Sequence, residues 1–335
     1  MSPGEAVQFD DPSAASSVES ISTIERVKLG GVDQYLIIRG EDLSNPVMLF
    51  VHGGPGSPEF FLFQEENLDL EKNFVMVYWE QRGSGKSYSH DIPVNSMTLD
   101  QFVLDARDLS EILIERFQRE KIYIMGHSWG SLLGLSVAYQ YPELYHSYIG
   151  IGQISNQYES EHASLKWVNE KANELNDRKA LGKLASLSVP ELQSTNADWL
   201  NYLMVERELV NQYGGGLRRD GFDTWLDMGR MILLSREYTI SDKIGFLNGN
   251  FFSMQHMWDD ALRANLTEQI DSMRIPVYFF HGEYDYQTTL SVTKPFYDQL
   301  KAPKKQFYYF ENSAHAPFLD EPDKFNSIME SIVPH

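Results

Sequence analysis

Gly126-His127-Ser128-Trp129-Gly130 carries the strongest chemical signal in the chain. It follows the apolar run Lys121 to Met125, which reads as a buried strand, and precedes a small-residue helix over Ser131 to Tyr139. A strand-to-helix turn this tight strains the backbone of its central residue. Side chains two positions away on either side would collide, so both flanks must be glycine. The strain exposes the Ser128 hydroxyl at the carboxyl edge of a sheet, and the following helix directs its amino terminus at developing negative charge. The bland alternative is a Gly-Ser turn without chemistry; the flanking strand and helix favour a nucleophile.

A serine hydroxyl is a weak nucleophile alone and needs a base within hydrogen-bond reach. On turns of this type the partners follow in the chain order Ser, acid, His. The histidines after Ser128 are His146, His162, His256, His281, His315 and His335. His315 lies in the small-residue loop Asn312 to Ala316, after the last predicted strand, and is the expected base. His281 ends a buried strand and His146 opens one, so both read as structural. His162 and His256 fall in a helical stretch and are candidates for substrate contact, and His335 ends the chain. The acid is expected after the penultimate strand. There Asp285 lies past the turn, placed to orient the imidazole, with Glu283 as runner-up. The oxyanion needs two aimed backbone N–H groups. Trp129 supplies one, and the loop His52-Gly53-Gly54-Pro55-Gly56 supplies the other, with Gly54 as the expected donor and Gly53 as its alternative.

These residues are far apart in sequence, so a frame must bring their loops to one edge. Ile24 to Leu29 and Tyr35 to Arg39 read as a hairpin around Gly30-Gly31. Val47 to Val51, Phe74 to Trp79, Lys121 to Met125, Tyr145 to Ile151, Ile275 to His281 and Gln306 to Phe310 read as short strands. Helical patterns over Ser96 to Arg116, Ser131 to Tyr139, Ser291 to Leu300 and Asp323 to Ile332 alternate with them. That rhythm predicts an α/β fold with a mostly parallel central sheet covered by helices on both faces. Between about Ser155 and Thr267 it stops. Amphipathic stretches broken by Pro190 and by Gly214-Gly215-Gly216 read as an inserted helical cap. The expected organisation is a flexible amino-terminal arm over 1–21, a core over 22–154 and 270–335, and a cap over 155–269.

Composition narrows the function. The chain has 335 residues, 48 Asp and Glu against 28 Lys and Arg, a net charge of −20 and no cysteine. A nucleic-acid partner would want a basic face, which this balance opposes. Absence of cysteine excludes a disulfide scaffold, a thiolate metal site and a cysteine nucleophile. There is no H-E-x-x-H and no EF-hand loop, so no metal is expected. Gly83-Ser84-Gly85-Lys86-Ser87 lacks the first glycine of a phosphate loop, no dinucleotide fingerprint is present, and no cofactor is expected. No run approaches the roughly 20 apolar residues that span a bilayer, and no charged segment precedes an apolar one at the start. The expected setting is cytoplasmic, without a membrane partner, and the expected substrate is a small molecule or short peptide. The acidity reads as a solvated surface.

Trp79-Glu80-Gln81-Arg82-Gly83-Ser84-Gly85-Lys86-Ser87, taken with His52 to Gly56, Gly126 to Gly130, Asp285 and His315, resembles the α/β-hydrolase superfamily. Within it the chain is similar to the proline iminopeptidase (prolyl aminopeptidase, peptidase family S33) branch, over about residues 22 to 154 and 270 to 333. The resemblance implies an α/β-hydrolase fold whose helical cap closes over the triad. It also implies a serine hydrolase that acts through an acyl-enzyme and releases amino-terminal residues from small peptides or amides. Glu80 stands where the family commonly has Asp. In the family, cap glutamates hold the substrate's α-ammonium, yet Phe246 to Phe252 contains no Glu; Glu206, Glu208 and Glu237 are the candidates. Among the cap aromatics, Trp199, Trp225 and Phe251 are candidates to line an apolar pocket, alongside Tyr202, Phe252 and Trp258, which read equally as cap core. The missing glutamate keeps open a carboxylesterase or lactonase acting on small esters. A catalytically silent binding protein on the same scaffold is the reading from a different class.

Overall fold

The computed structural model describes residues 3–9, 19–65, 69–220 and 224–332. In chain order the strands are β1 (Ile21–Leu29), β2 (Val32–Gly40), β3 (Val47–Val51), β4 (Val75–Glu80), β5 (Ile122–His127), β6 (Tyr145–Ile151), β7 (Val277–Gly282) and β8 (Lys305–Phe310). The helices are α1 (Phe60–Glu65), α2 (Leu70–Asn73), α3 (Leu99–Arg116), α4 (Trp129–Gln140), α5 (Gln157–Glu174), α6 (Arg178–Leu184) and α7 (Asn196–Gln212). They continue as α8 (Thr224–Leu234), α9 (Ile240–Arg263), α10 (Leu266–Gln269), α11 (Leu290–Gln299), α12 (Pro317–Asp320) and α13 (Pro322–Ile332).

The short apolar runs become strands because both of their faces are covered. Every residue of β3, β4, β5 and β7 is buried. Alternate residues feed two separate layers: Val47, Leu49 and Val51 enter one core, while Met48 and Phe50 enter the other. The eight strands form one sheet in the order β1-β2-β4-β3-β5-β6-β7-β8. The β1–β2 and β2–β4 pairings are antiparallel and the others parallel. The β1–β2 turn is Gly30-Gly31, with φ of 51° and 81°, the doubly positive turn that matches strand twist. β8 at the far edge is half-buried and begins with Lys305 and Gln306, which discourages further strand pairing.

Sheet order creates the site. The chain leaves β3 for β4 on one side, then crosses to β5 on the other, so the crevice at the carboxyl ends of β3 and β5 is a topological switch point. The loop after β3 and the turn after β5 therefore lie side by side. α4 is packed all round, with Trp129 to Ala138 buried, which suits a helix held between the sheet and α3. Thr98 caps α3 by accepting the Gln101 N–H.

Helices α5 to α10 lie between β6 and β7. The two ends of this block meet at a bridge between Asn156 and Asn265, so it leaves and rejoins the sheet at one place. Thr195 and Thr239 start α7 and α9 with capping boxes closed by Asp198 and Asp242. Near the amino terminus, the Gly4 N–H donates to Arg236 O at 3.0 Å, Gln8 Nε2 donates to Ser22 O at 3.0 Å, and the Phe9 ring lies 4.5 Å from the Arg39 guanidinium. Residues 1–2 and 10–18 of the expected arm, and His335, lie outside the described residues.

Candidate active site

Ser128 caps α4 with φ 55° and ψ −122°, a left-handed conformation that non-glycine residues rarely adopt. Its N–H donates to Ile151 O at 3.0 Å, which ties the turn to the end of β6. A methyl group built on Gly126 would overlap the Gly130 carbonyl, and one on Gly130 would overlap the Val51 carbonyl. The two glycines are therefore required by close approach of main chain to main chain.

Asp285 and His315 come together at the carboxyl ends of β7 and β8. His315 Nδ1 lies 2.8 Å from Asp285 Oδ2. The same oxygen accepts from Thr288 Oγ1 at 2.8 Å, and Oδ1 accepts the N–H groups of Gln287 and Thr288, each at 2.9 Å. Burial opposes ionisation of Asp285, but the neighbouring His315, the His281 ring and the Thr288 amide outweigh it and hold the carboxyl well below the usual carboxylate range. A carboxylate so committed fixes the proton of His315 on Nδ1. Nε2 is then the free acceptor, and it is buried without a hydrogen-bond partner among the described residues. No hydrogen bond joins Ser128 Oγ to this nitrogen among the described residues. His281 is buried with its Nε2 3.9 Å from Asp285 Oδ2, and burial lowers its pKa. Asp285, not Glu283, is the carboxylate on the imidazole.

The two main-chain donors separate cleanly. The Gly53 N–H donates to Glu59 Oε2 at 3.1 Å and is spent. The Gly54 amide has no acceptor among the described residues, and the Trp129 amide sits in the first turn of α4, where no helical acceptor exists. Gln81 joins the two segments. Its Nε2 donates to His52 O at 2.9 Å and its Oε1 accepts from Trp129 Nε1 at 3.0 Å. Burial pushes the His52 imidazole down to about 4, so it is neutral at ordinary pH.

Other residues of the Trp79 to Ser87 segment hold structure. Arg82 forms a two-pronged pair with Asp105, at 2.9 and 3.0 Å, and both partners are fully buried. Lys86 Nζ reaches Asp242 at 2.5 Å and Glu237 O at 2.8 Å. Its ammonium is thus engaged at the start of α9.

The candidate amine ligands fall in three places. Glu206 is buried on α7, where Arg207 bridges it to Glu161 of α5 and the Ser164 hydroxyl donates to it. Burial pushes its carboxyl up against the pull of Arg207. Glu208 is exposed and pairs with Lys183 at 2.5 Å. Glu237 is buried near the start of α9 and accepts from Ser235 Oγ at 2.6 Å. None of the three hydrogen-bonds to Ser128, Asp285 or His315. Trp199 is buried between Tyr158 and Tyr202, whereas Phe251 is 58% exposed. The Trp225 side chain lies outside the described residues. Sequence reasoning missed Glu161 and Arg207, which complete the Glu206 cluster, and Glu59 and His127. Glu59 had a visible signal: an acid heading the all-apolar run Phe60 to Phe63 must be paired once that run is buried.

Among the described residues no group of three or more His, Cys, Asp or Glu side chains is arranged to hold a metal ion, and no helix is long and apolar enough to cross a membrane.

Sheet order, elbow and paired loops define a hydrolase of the α/β fold. Residues 46–190 match the family model for the alpha/beta hydrolase fold. The chain is 33% identical over 321 residues to a probable aminopeptidase, YbaC, of Bacillus subtilis (strain 168), covering 95% of this chain and 98% of that one. The chain belongs to the α/β-hydrolase superfamily and is similar to its proline iminopeptidase branch. It is 24% identical over 315 residues to a proline iminopeptidase of Saccharolobus solfataricus, covering 91% and 90% of the two chains. Among solved structures, VinJ superposes with a TM-score of 0.66 at 19% identity over 93% of this chain and 98% of that one.

Proposed function

We infer that the chain is a serine hydrolase working through an acyl-enzyme, most specifically an aminopeptidase of proline iminopeptidase type. One observation carries the reading: an Asp285–His315 pair at 2.8 Å, with His315 Nε2 unpartnered among the described residues, at the same sheet edge as a serine in a strained elbow. In this reading His315 Nε2 takes the Ser128 proton as Oγ attacks the carbonyl. The Gly54 and Trp129 amides hold the oxyanion. Collapse expels the amine with a proton from His315, and water activated by the same nitrogen releases the acid.

The helical block over 155–269 acts as the cap. α5 is tied to the acid loop through Gln157 Nε2 to Gln287 O, at 3.0 Å, and through the stacked rings of Trp167 and Tyr286, 3.7 Å apart. This supports Glu161 and Glu206 as the carboxylates for a substrate ammonium, because the two of them share the single guanidinium of Arg207. Proline p-nitroanilide is the expected substrate, and N-acetylation should abolish its cleavage. Ser128→Ala should reduce turnover to background on every substrate.

A second reading rests on the same cluster. Arg207 already pairs with both glutamates, and burial opposes ionisation of Glu206. A site that holds ammonium weakly suits a neutral ester or lactone. Cleavage of p-nitrophenyl butyrate with no response to free-amine substrates would select that reading. No activity on either class, with Ser128 inert to fluorophosphonates, would leave a binding protein.

A further inference from the structure

A second acid–imidazole pair lies behind the first. His127, the residue before the nucleophile, is buried, and so is Glu59. His127 Nδ1 lies 2.9 Å from Glu59 Oε1, and His127 Nε2 lies 3.1 Å from the carbonyl oxygen of His315. The His127 and His315 rings are 4.7 Å apart between centroids. The other Glu59 oxygen accepts the Gly53 N–H at 3.1 Å. Gly53 is pressed against the nucleophile: a methyl built on it would lie 3.2 Å from Ser128 Cβ and 2.8 Å from Glu59 Oε1.

Both ring nitrogens of His127 face oxygens that only accept, a carboxylate and a peptide carbonyl. An imidazole satisfies both only when both nitrogens carry protons. The charged groups around it agree with that state. Burial disfavours the cation, but Glu59 on one side, the His315 carbonyl on another and the more distant Asp285 carboxylate raise its pKa overall.

We propose that Glu59 and a doubly protonated His127 are positioning residues that lock three loops into one geometry. They fix the oxyanion loop through the Gly53 N–H, the elbow through His127 itself, and the base loop through the His315 carbonyl. The proposal rests on Ser128 and His315 being the reacting groups. Its first consequence is selection of the donor: Glu59 turns the Gly53 amide away from substrate and leaves Gly54 to meet the oxyanion. Its second is that His315 is held from both ends, by Asp285 at Nδ1 and by His127 at its carbonyl.

The test uses Glu59→Gln, which is nearly isosteric but cannot accept from both Gly53 and His127. The expected result is a kcat about a hundredfold lower with KM changed less than about threefold, because alignment is lost while the substrate-binding surface is untouched. Wild-type kcat in Glu59→Gln overturns the proposal; an equal loss through KM alone does the same. Should the variant fail to fold, nitrogen-15 NMR of the native protein decides. Both His127 ring nitrogens should be protonated at pH 7.5, and a bare nitrogen on that ring contradicts the proposal. Ser128→Ala assayed alongside separates the two claims. A Ser128→Ala protein that still turns over refutes the serine reading itself; a dead Ser128→Ala beside a fully active Glu59→Gln refutes only the role of Glu59 and His127.

Discussion

In the proposed triad the imidazole is held by a partner that removes its freedom to turn or change tautomer. Asp285 accepts four hydrogen bonds, one of them from His315 Nδ1, so the imidazole has one tautomer and one orientation. Asp285→Asn should leave the fold in place and lower kcat about ten-thousandfold, because an amide at this position permits the wrong tautomer. The carboxyl is held below its usual range, so the stability it contributes is fully present above the ordinary carboxylate pKa and is lost as pH falls through its depressed folded value. The gap between the melting curves of wild type and Asp285→Asn should therefore narrow steadily as pH falls from about 4 to about 2. A gap that stays constant over that range would show that the ionised form is not the stabilising one. The residues named from sequence here, Ser128, Asp285 and His315, were legible because chain order and loop position restrict the choice. The pairing of His127 with Glu59 was not, although Glu59 itself carried a signal that it must be paired. Their pairing spans 68 residues, and nothing local says which acid a buried histidine will meet.

At the scale of elements, legibility followed hydrophobic period. β3 is apolar at every position and β4 at every position before Glu80, so both were visible as buried strands, while the change of rhythm after β6 marked the helical block. α1 and α2 were invisible, since six and four residues are too few to display a helical repeat. The fit between α9 and the loops at this sheet edge was also hidden. Ser253 Oγ donates to Gly83 O at 2.9 Å and Asn250 Nδ2 donates to Ser57 Oγ at 2.6 Å. Ser253 thus ties α9 to the loop after β4, and Asn250 ties it to Ser57 just past Gly54, contacts between segments far apart in sequence. Asn250→Ala should weaken the second contact and lower kcat more than stability, which paired melting and turnover measurements would reveal. The elbow behaves oppositely. Gly130→Ala forces a methyl into the Val51 carbonyl, and the expected outcome is loss of soluble folded protein, read by expression and circular dichroism. Leu133 of α4 is fully buried, and Leu133→Ala should cost about 3 kcal/mol in denaturant titration without altering the pH profile of turnover.

For the whole molecule, the net charge of −20 describes a solvated surface, and the informative carboxylates are the buried ones. Glu80 joins sheet to helical block by accepting from Tyr238 Oη and from the Lys86 N–H. Burial pushes it from 4.5 up to about 7. The folded chain then keeps a proton that the unfolded chain releases, so stability falls as pH rises from 4.5 to about 7 and is level above. Glu80→Gln should flatten this part of the stability curve and raise the melting temperature relative to wild type at pH 8, with little difference at pH 4.5. An unchanged slope would mean that Glu80 ionises normally. The central claim is the identity of the nucleophile, and intact-mass spectrometry after fluorophosphonate treatment tests it most directly. One adduct per chain on the peptide containing Ser128, absent from Ser128→Ala, is the predicted result. No adduct on folded protein, or an adduct on another residue, would contradict it.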